Sequence, residues 1–340
     1  VLIAVLGRLA WFATPHTEEQ LRRATGFQQG VTEGLSTGRQ QTHPRKSVET
    51  ATESKPTGVH GVAEWPETKP RVFRQAPVLD AEVQARNILP LEERLPAQPL
   101  VIIPPQQIGP YGGTWTRFGN GPQDVGILDD RLAYEGLVRW DPMGRTVLPN
   151  LAIRWEIEDE GRRYRFHLRR GVRWSDGHAF TTKDIMFWYH RFLLNTDLTP
   201  IISNDFKSKS GVMLAKALDA YTIEFTFEDV KGLFLQKLAA GRSQEMCAYP
   251  AHHLKQFHVD FVPEQKLQEM AIAKGFDLWS KLFKDEWEWR STTTPRLWPW
   301  LMAEPPPSRP IRLRRNPYYW KVDPEGNQLP YIDQIAYTTV

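Results

Sequence analysis

With 340 residues the chain has room for about two domains, and its 41% hydrophobic and 24% charged residues are typical of a soluble globular protein. Its 43 basic and 40 acidic residues give a net charge of +3, and no long basic run is interleaved with aromatic residues, so a nucleic-acid partner is not expected. The single cysteine, Cys247, excludes an internal disulfide and a cysteine-based metal site. A reducing compartment and an exported protein that avoids free thiols both fit this count.

The chain opens with two apolar runs, at residues 1–6 and 9–13, which Gly7 and Arg8 separate. A membrane-spanning helix needs about 20 apolar residues, so these runs are too short to cross a bilayer. We interpret residues 1–14 as the rear part of a signal peptide or N-terminal membrane anchor whose start is missing. The alternative is a short buried segment of a larger domain.

Residues 15–105 lack sustained apolar periodicity and are rich in polar residues and, in their second half, in proline. Such a composition buries too little apolar surface to offset the conformational entropy of the chain. We therefore predict a mostly disordered or extended linker here. Within it, residues 79–95 favour a short helix, and residues 100–103 (LVII) favour a strand or a clamp onto the folded part.

The globular part is predicted to begin near residues 111–116 (YGGTWT), which lead through a loop at 119–130 into a helix that contains Tyr134. The loop is glycine-rich, but Asp124 stands where a dinucleotide-binding loop needs its third glycine, and no Gly-Lys-Ser/Thr follows. A phosphate-binding loop is therefore not predicted.

A β-hairpin is predicted next, because apolar residues alternate with polar ones on both sides of a turn at 159–161 (DEG). A second turn is predicted at 174–177 (WSDG), since Asp-Gly pairs favour turns. Thr181 is then placed to cap a helix whose first turn carries Asp184. Residues 212–227 predict another hairpin, and residues 263–289 predict two helices hinged at a glycine.

Several of these runs resemble the extracellular solute-binding proteins of family 5, which serve ABC importers of oligopeptides, dipeptides and related ligands. The matching runs are YEGLVRWD (134–141), LPNLA (148–152), YRFHLR (164–169), WSDG (174–177), RNPYYW (315–320) and GNQLPYIDQI (326–335). Their order and spacing make the resemblance specific over about residues 111–340. It implies an α/β fold, with a periplasmic-binding-protein type II-like lobe at 106–146 and 218–340, an inserted small α/β lobe at 147–217, and a C-terminal lobe that is absent.

By this resemblance the function is ligand capture in the periplasm or outside the cell, by closure of a cleft between lobes, followed by delivery to ABC permease subunits. No enzymatic activity, cofactor or metal is implied. The leading ligand is an oligopeptide or dipeptide. An oligosaccharide is the nearest alternative, given the tryptophans. TPRLWPWL at 294–301 stands in place of the family's usual GTGPY turn, so the resemblance does not fix the ligand class. A sensory domain that feeds no permease is the alternative from another class, and neighbouring permease and ATPase genes would distinguish the two.

The candidate ligand-binding residues are Asn120, Gln123, Asp124, Tyr134, Trp298 and Trp300. The first three lie in a loop that, by the resemblance, faces the cleft; a plain surface loop is the alternative. The two tryptophans belong, with Trp287 and Trp289, to an aromatic set that fits either lobe core and surface packing or a stacking wall for a ligand.

Catalytic and metal-binding motifs give no positive signal. The sequence has neither a Gly-x-Ser-x-Gly nucleophile elbow nor a His-Glu-x-x-His zinc helix. His252, His253 and His258 are close in sequence, but their spacings do not place two of them on one face of a helix. A metal site built from these three histidines is therefore not predicted.

Overall fold

The computed structural model describes residues 60–121, 124, 130–240 and 243–339. The predicted signal or anchor segment at 1–14, residues 15–59 of the predicted linker and the candidate residue Gln123 lie outside these ranges. Among the described residues, no helix is both long enough and apolar enough to cross a membrane.

The β-strands of the described ranges are short and belong to separate small sheets. They are β1 (Gly61–Glu64), β2 (Leu100–Ile103), β3 (Thr114–Gly119), β4 (Val138–Trp140), β5 (Val147–Pro149), β6 (Ala152–Glu158), β7 (Arg163–Leu168), β8 (Leu214–Asp219), β9 (Thr222–Thr226), β10 (Trp300–Glu304), β11 (Ile311–Arg315), β12 (Lys321–Val322) and β13 (Gln334–Thr339). The strand orders are β1–β2–β12, β10–β11–β13–β3, β4–β5 and β6–β7–β9–β8. The pairs β2–β12 and β3–β13 are parallel, so segments far apart in sequence become neighbours.

The helices lie mostly between β7 and β10. The α-helices are α1 (Asp80–Gln84), α2 (Leu91–Arg94), α3 (Thr182–Phe187), α4 (Phe234–Leu238), α5 (Ala251–Leu254), α6 (Glu264–Ala273) and α7 (Trp279–Trp287). The segment Trp188–Leu193 continues α3 as a π-helix, and short 3-10 turns stand at Pro77–Leu79, Asn204–Phe206, Ser243–Cys247 and Lys255–Phe257.

The main hydrophobic core joins the β6–β7–β9–β8 sheet to helices α3 to α7. Phe166 and Phe225 of the sheet, Trp188 and Phe283 of the helices, and Trp320 are all fully buried in it. The alternation read from the sequence explains the sheet face, because β7 has every second side chain buried. A smaller core lies on the β10–β11–β13–β3 sheet.

The prediction of a disordered linker is wrong for residues 60–105. Strands β1 and β2 pair antiparallel there, and β2 also pairs with β12. Trp65, Phe73 and Leu95 are buried in a third apolar cluster that includes Val322 of β12. The prolines break local periodicity, but the apolar residues between them are buried against a distant part of the chain, which composition alone does not reveal. The strand predicted at 100–103 is confirmed as β2.

The predicted boundary of the small lobe at 217 is also corrected. It falls near the end of β8, inside the β8–β9 hairpin, and β9 pairs with both β7 and β8. Strand β9 therefore belongs to the same sheet as the rest of the predicted small lobe. The other limits of the two lobes stay predictions.

Two local predictions agree with the structure in detail. The hairpin of β6 and β7 turns at Asp159, Glu160 and Gly161, which all have positive φ. Helix α3 begins with a capping box. The side chain of Thr181 accepts a backbone N–H of the first helical turn, and the side chain of Asp184 accepts the backbone N–H of Thr181. These features depend on neighbouring residues only, which is why the sequence predicts them.

Replacing Gly177 with valine should lower the free energy of unfolding by about 1–2 kcal/mol. Gly177 has φ +90°, which strains a branched side chain, and a Cβ there would lie 3.0 Å from the hydroxyl oxygen of buried Tyr318. Urea denaturation measures the change. The matched control is Gly232→Val, since Gly232 does not have a positive φ and a Cβ added to it would meet no neighbouring atom within 4 Å. Equal stability of the two variants would contradict a structural role for Gly177.

Candidate functional site

A cavity of about 380 Å³ lies where the segment before β10, strand β12 and the loop at 329–332 meet. Its wall is mainly apolar and aromatic, with Trp300, Tyr331 and Ile332 on one side. Its basic members are His60, Arg139 and Lys321. The cavity therefore combines flat apolar surfaces with a positively charged part, which suits an organic solute that carries polar groups.

Trp300 is the candidate residue that the structure places in this wall. It begins β10 and is partly exposed. Its indole Nε1 donates a hydrogen bond to the carbonyl oxygen of Ile332 at 3.2 Å, and this bond fixes the ring against the loop at 329–332. The ring is thus held in place before any ligand arrives, although a contact between Trp300 and a ligand stays a prediction.

Beside the cavity, Glu135 and Lys321 form a buried ion pair. Their side chains are 5% and 1% exposed, and Lys321 Nζ lies 2.7 Å from Glu135 Oε2. The hydroxyl of Tyr319 donates to the same carboxylate at 2.7 Å, and the amide of Asn150 donates at 3.0 Å. A buried carboxylate with this many donors is well satisfied, so the network fixes β12 against the segment before β4.

The charges around the cavity affect one another. Burial lowers the pKa of Lys321, while the Glu135 carboxylate opposes that change and Arg139 adds to it. Burial also lowers the pKa of His60, and the positive charges of Arg139 and Lys321 lower it further. His60 is therefore a neutral hydrogen-bonding group at neutral pH. Lys321 is paired with Glu135, whereas no carboxylate of this network pairs with Arg139. Arg139 therefore supplies the unbalanced positive charge at the cavity.

Sequence reasoning missed Glu135, Lys321 and Asn150. Each is a common surface residue type, and 186 positions separate Glu135 from Lys321. One signal was present: Glu135 stands in a run, YEGLVRW, that is apolar, aromatic or glycine apart from Glu135 and Arg139. A charged residue that is buried with such a run needs a partner.

The other candidate residues have local structural roles. Asn120 donates its backbone N–H to the carboxylate of Asp124 at 2.8 Å, which closes the loop after β3. The hydroxyl of Tyr134 donates to the carbonyl of Ala239 and accepts the backbone N–H of Trp140 at 3.1 Å. Tyr134 does not line this cavity, and its contact with a ligand stays a prediction.

The tryptophan set is divided between several places. The indole of Trp298 packs with the guanidinium of Arg296, 4.6 Å from the ring centre, and does not line the cavity. Trp287 stacks on Tyr249 with 5.0 Å between ring centres and donates to the carbonyl of Ala248. Trp289 packs on the smaller core. A single stacking wall of all four rings is therefore not formed in the described residues, and Trp300 alone of the four lines the cavity.

Comparison with known proteins identifies the family. Residues 146–340 match the model of the bacterial extracellular solute-binding proteins, family 5, which is more than half of the chain. The chain belongs to this family. Both the α/β class and the family predicted from the sequence runs are confirmed.

The similar proteins bind different solutes. The periplasmic alpha-galactoside-binding protein of Rhizobium meliloti (strain 1021) is 30% identical over 280 residues, which cover 76% of this chain and 38% of that protein. A solved structure of an oligopeptide-binding protein OppA has a TM-score of 0.74 and 38% identity, and covers 79% of this chain and 42% of that one. The periplasmic binding protein MelB of Agrobacterium fabrum C58, solved in complex with stachyose, has a TM-score of 0.65 and 26% identity, and covers 88% of this chain and 45% of that one. The chain thus spans less than half the length of these relatives.

Proposed function

We propose that this chain is part of the extracytoplasmic solute-binding component of an ABC importer, in the periplasm or outside the cell. It captures an organic solute by cleft closure and delivers the solute to permease subunits. Membership of solute-binding family 5 carries the proposal. The aromatic and basic cavity between β10, β12 and the loop at 329–332 supports it, because solute sites combine apolar walls with a few fixed polar groups.

An oligopeptide or dipeptide is the first ligand candidate. A peptide carries a carboxylate, which a guanidinium binds well, and Arg139 brings a guanidinium to the cavity. Apolar surfaces such as Trp300 and Tyr331 suit peptide side chains. The similarity to a protein named oligopeptide-binding supports this candidate.

An oligosaccharide is the second candidate, and a separate observation favours it. One relative is named an alpha-galactoside-binding protein, and another was solved in complex with stachyose. The exposed faces of Trp300 and Tyr331 also suit the apolar face of a sugar ring.

Replacing Trp300 with alanine should weaken solute binding at least tenfold, or about 1.4 kcal/mol, because the ring forms a fixed wall of the cavity. Isothermal titration of the product of the complete reading frame against a tetrapeptide and against stachyose measures this. Trp298→Ala is the matched control, since Trp298 lies outside the cavity. An unchanged affinity in Trp300→Ala, or an equal loss in Trp298→Ala, would place the solute elsewhere.

Arg139→Gln distinguishes the two ligands. If a peptide carboxylate binds Arg139, the variant loses affinity for a free peptide but not for the same peptide amidated at its C-terminus. If stachyose is the solute, the wild type binds stachyose and neither peptide. Binding of none of these solutes would contradict both ligand assignments.

A further inference from the structure

Two histidines and an aspartate come together on the face formed by the WSDG turn and helix α5. The side-chain donor atoms of Asp176, His178 and His252 all lie within 4.8 Å of one another. His252 Nε2 is 2.6 Å and His178 Nδ1 is 3.2 Å from the same oxygen, Asp176 Oδ2. The two imidazole rings are stacked, with 4.0 Å between their centres and 16° between their planes. Both ring edges thus face one carboxylate.

The backbone holds these residues in place. In the turn, the N–H of Trp174 donates to the carbonyl of His178 at 2.8 Å, and the N–H of Gly177 donates to the carbonyl of Trp174 at 2.9 Å. His178 also donates its own N–H to the Asp176 carboxylate at 3.2 Å. A turn closed in this way presents Asp176 and His178 on the same side.

The third residue comes from a second anchored segment. His252 lies in α5, and the N–H of Ala251 at the start of α5 donates to the buried carboxylate of Asp184 at 3.0 Å. Asp184 belongs to the capping box of α3. The backbone next to His252 is therefore anchored to the start of α3, while the contact with Asp176 holds the imidazole itself.

The spacing fits a metal ion. In tetrahedral coordination with bonds of about 2.0–2.1 Å, ligand atoms lie roughly 3.3–3.4 Å apart. The 3.2 Å between His178 Nδ1 and Asp176 Oδ2 already matches this spacing. The 2.6 Å contact of His252 is a hydrogen bond, and it must lengthen by roughly 0.7 Å when an ion replaces the shared proton.

The cluster is also open to solvent. The side chains of His178, Asp176 and His252 are 62%, 35% and 23% exposed, so an ion can enter and water can complete its coordination. Two imidazoles select borderline transition metals, whereas Mg²⁺ and Ca²⁺ prefer sites made of oxygen atoms only.

We propose that Asp176, His178 and His252 bind a divalent transition-metal ion, represented by Zn²⁺, with water in the remaining position. The site differs from the group of three histidines near residue 255: of that group only His252 takes part, and His258 instead contacts the carbonyl of Arg191 at 2.9 Å. The site is independent of the solute cavity and of the proposed transport function.

The test is Zn²⁺ titration of the metal-free protein in competition with a chromogenic chelator. The wild type should bind one Zn²⁺ ion. His178→Ala and His252→Gln should each lower the Zn²⁺ affinity at least tenfold. His253→Ala is the matched control: it removes the neighbouring histidine, whose Nε2 contacts the Thr294 hydroxyl at 3.4 Å. Thermal unfolding of the metal-free variants checks that each is folded, and exposed His178 gives the variant with the least effect on packing.

Substitution of Co²⁺ supplies a second measurement. The visible absorption of tetrahedral Co²⁺ should appear in the wild type and in His253→Ala, and it should be lost in His178→Ala. Equal Zn²⁺ affinity of the wild type and a His178→Ala/His252→Gln double variant would overturn the site. So would an equal loss in His253→Ala, or binding of Mg²⁺ as tight as that of Zn²⁺.

Discussion

Replacing Glu135 with alanine should lower the free energy of unfolding by about 3–5 kcal/mol. The substitution leaves the ammonium group of Lys321, which is 1% exposed, without its carboxylate. It also removes the acceptor of the Tyr319 hydroxyl and of the Asn150 amide. An unpaired charge and unsatisfied donors both destabilise the folded state. The decrease in the free energy of unfolding should therefore exceed that caused by truncating an apolar side chain of similar size.

Urea denaturation of the wild type, Glu135→Ala, Lys321→Met and Glu135→Ala/Lys321→Met gives a double-mutant cycle. The double variant should be more stable than Glu135→Ala, because it no longer buries a lone charge. Asp277→Ala is the control: Asp277 pairs with Lys281 at 2.6 Å, but both side chains are more than half exposed, so its loss should stay below about 1 kcal/mol. A loss of that small size in Glu135→Ala would contradict the buried network.

A variant that begins at residue 106 should lose cooperative unfolding, whereas one that begins at residue 60 should keep it. Residues 61–103 supply β1, β2 and the buried side chains of Trp65 and Leu100. Each large apolar side chain removed from a core costs about 1.5–3 kcal/mol of burial. The truncation also removes Glu64, whose carboxylate binds the guanidinium of Arg169 at 2.7 Å, and Arg169 is 1% exposed.

Circular dichroism during heating and dye binding to exposed apolar surface measure this effect. The variant beginning at 106 should melt broadly and bind the dye, as a chain with an uncovered core does. Limited proteolysis of the longer variant gives an independent measurement: protection should extend from about Trp65 onward. A resistant core that begins near Tyr111 would instead restore the linker interpretation of residues 60–105.

The features predicted correctly from the sequence depend on residues close together in the chain. The β6–β7 hairpin follows from period-two alternation around a turn, and the start of α3 follows from Thr181 and Asp184 three positions apart. The break between α6 and α7 at Gly275 follows from one glycine, which has φ +83°. In each case the physical cause acts within a few residues, so the sequence pattern contains it.

The missed features depend on contacts between distant segments. The burial of Trp65 and Phe73 requires Val322, and the burial of Glu135 requires Lys321. The proline content around Trp65 and Phe73 instead predicted a disordered linker, and the residue types of Glu135 and Lys321 are those of exposed side chains. Of the residues that line the cavity, the sequence singles out Trp300, because bulky aromatic residues stand out, and its contact with a ligand stays a prediction. Arg139 and Lys321 resemble ordinary surface charges until the fold is known.

The parallel pairing of β3 with β13 has a consequence for biosynthesis. Thr114 pairs with Gln334, so the ribosome adds roughly 220 more residues after β3 before its partner strand β13 exists. At about 5–20 residues per second, that delay is on the order of ten to forty seconds. The strands β6 to β9, in contrast, all lie between residues 152 and 226 and can pair soon after they emerge. We therefore expect the β6–β9 sheet to fold during synthesis, while the edge of β3 stays unpaired until β13 has been made.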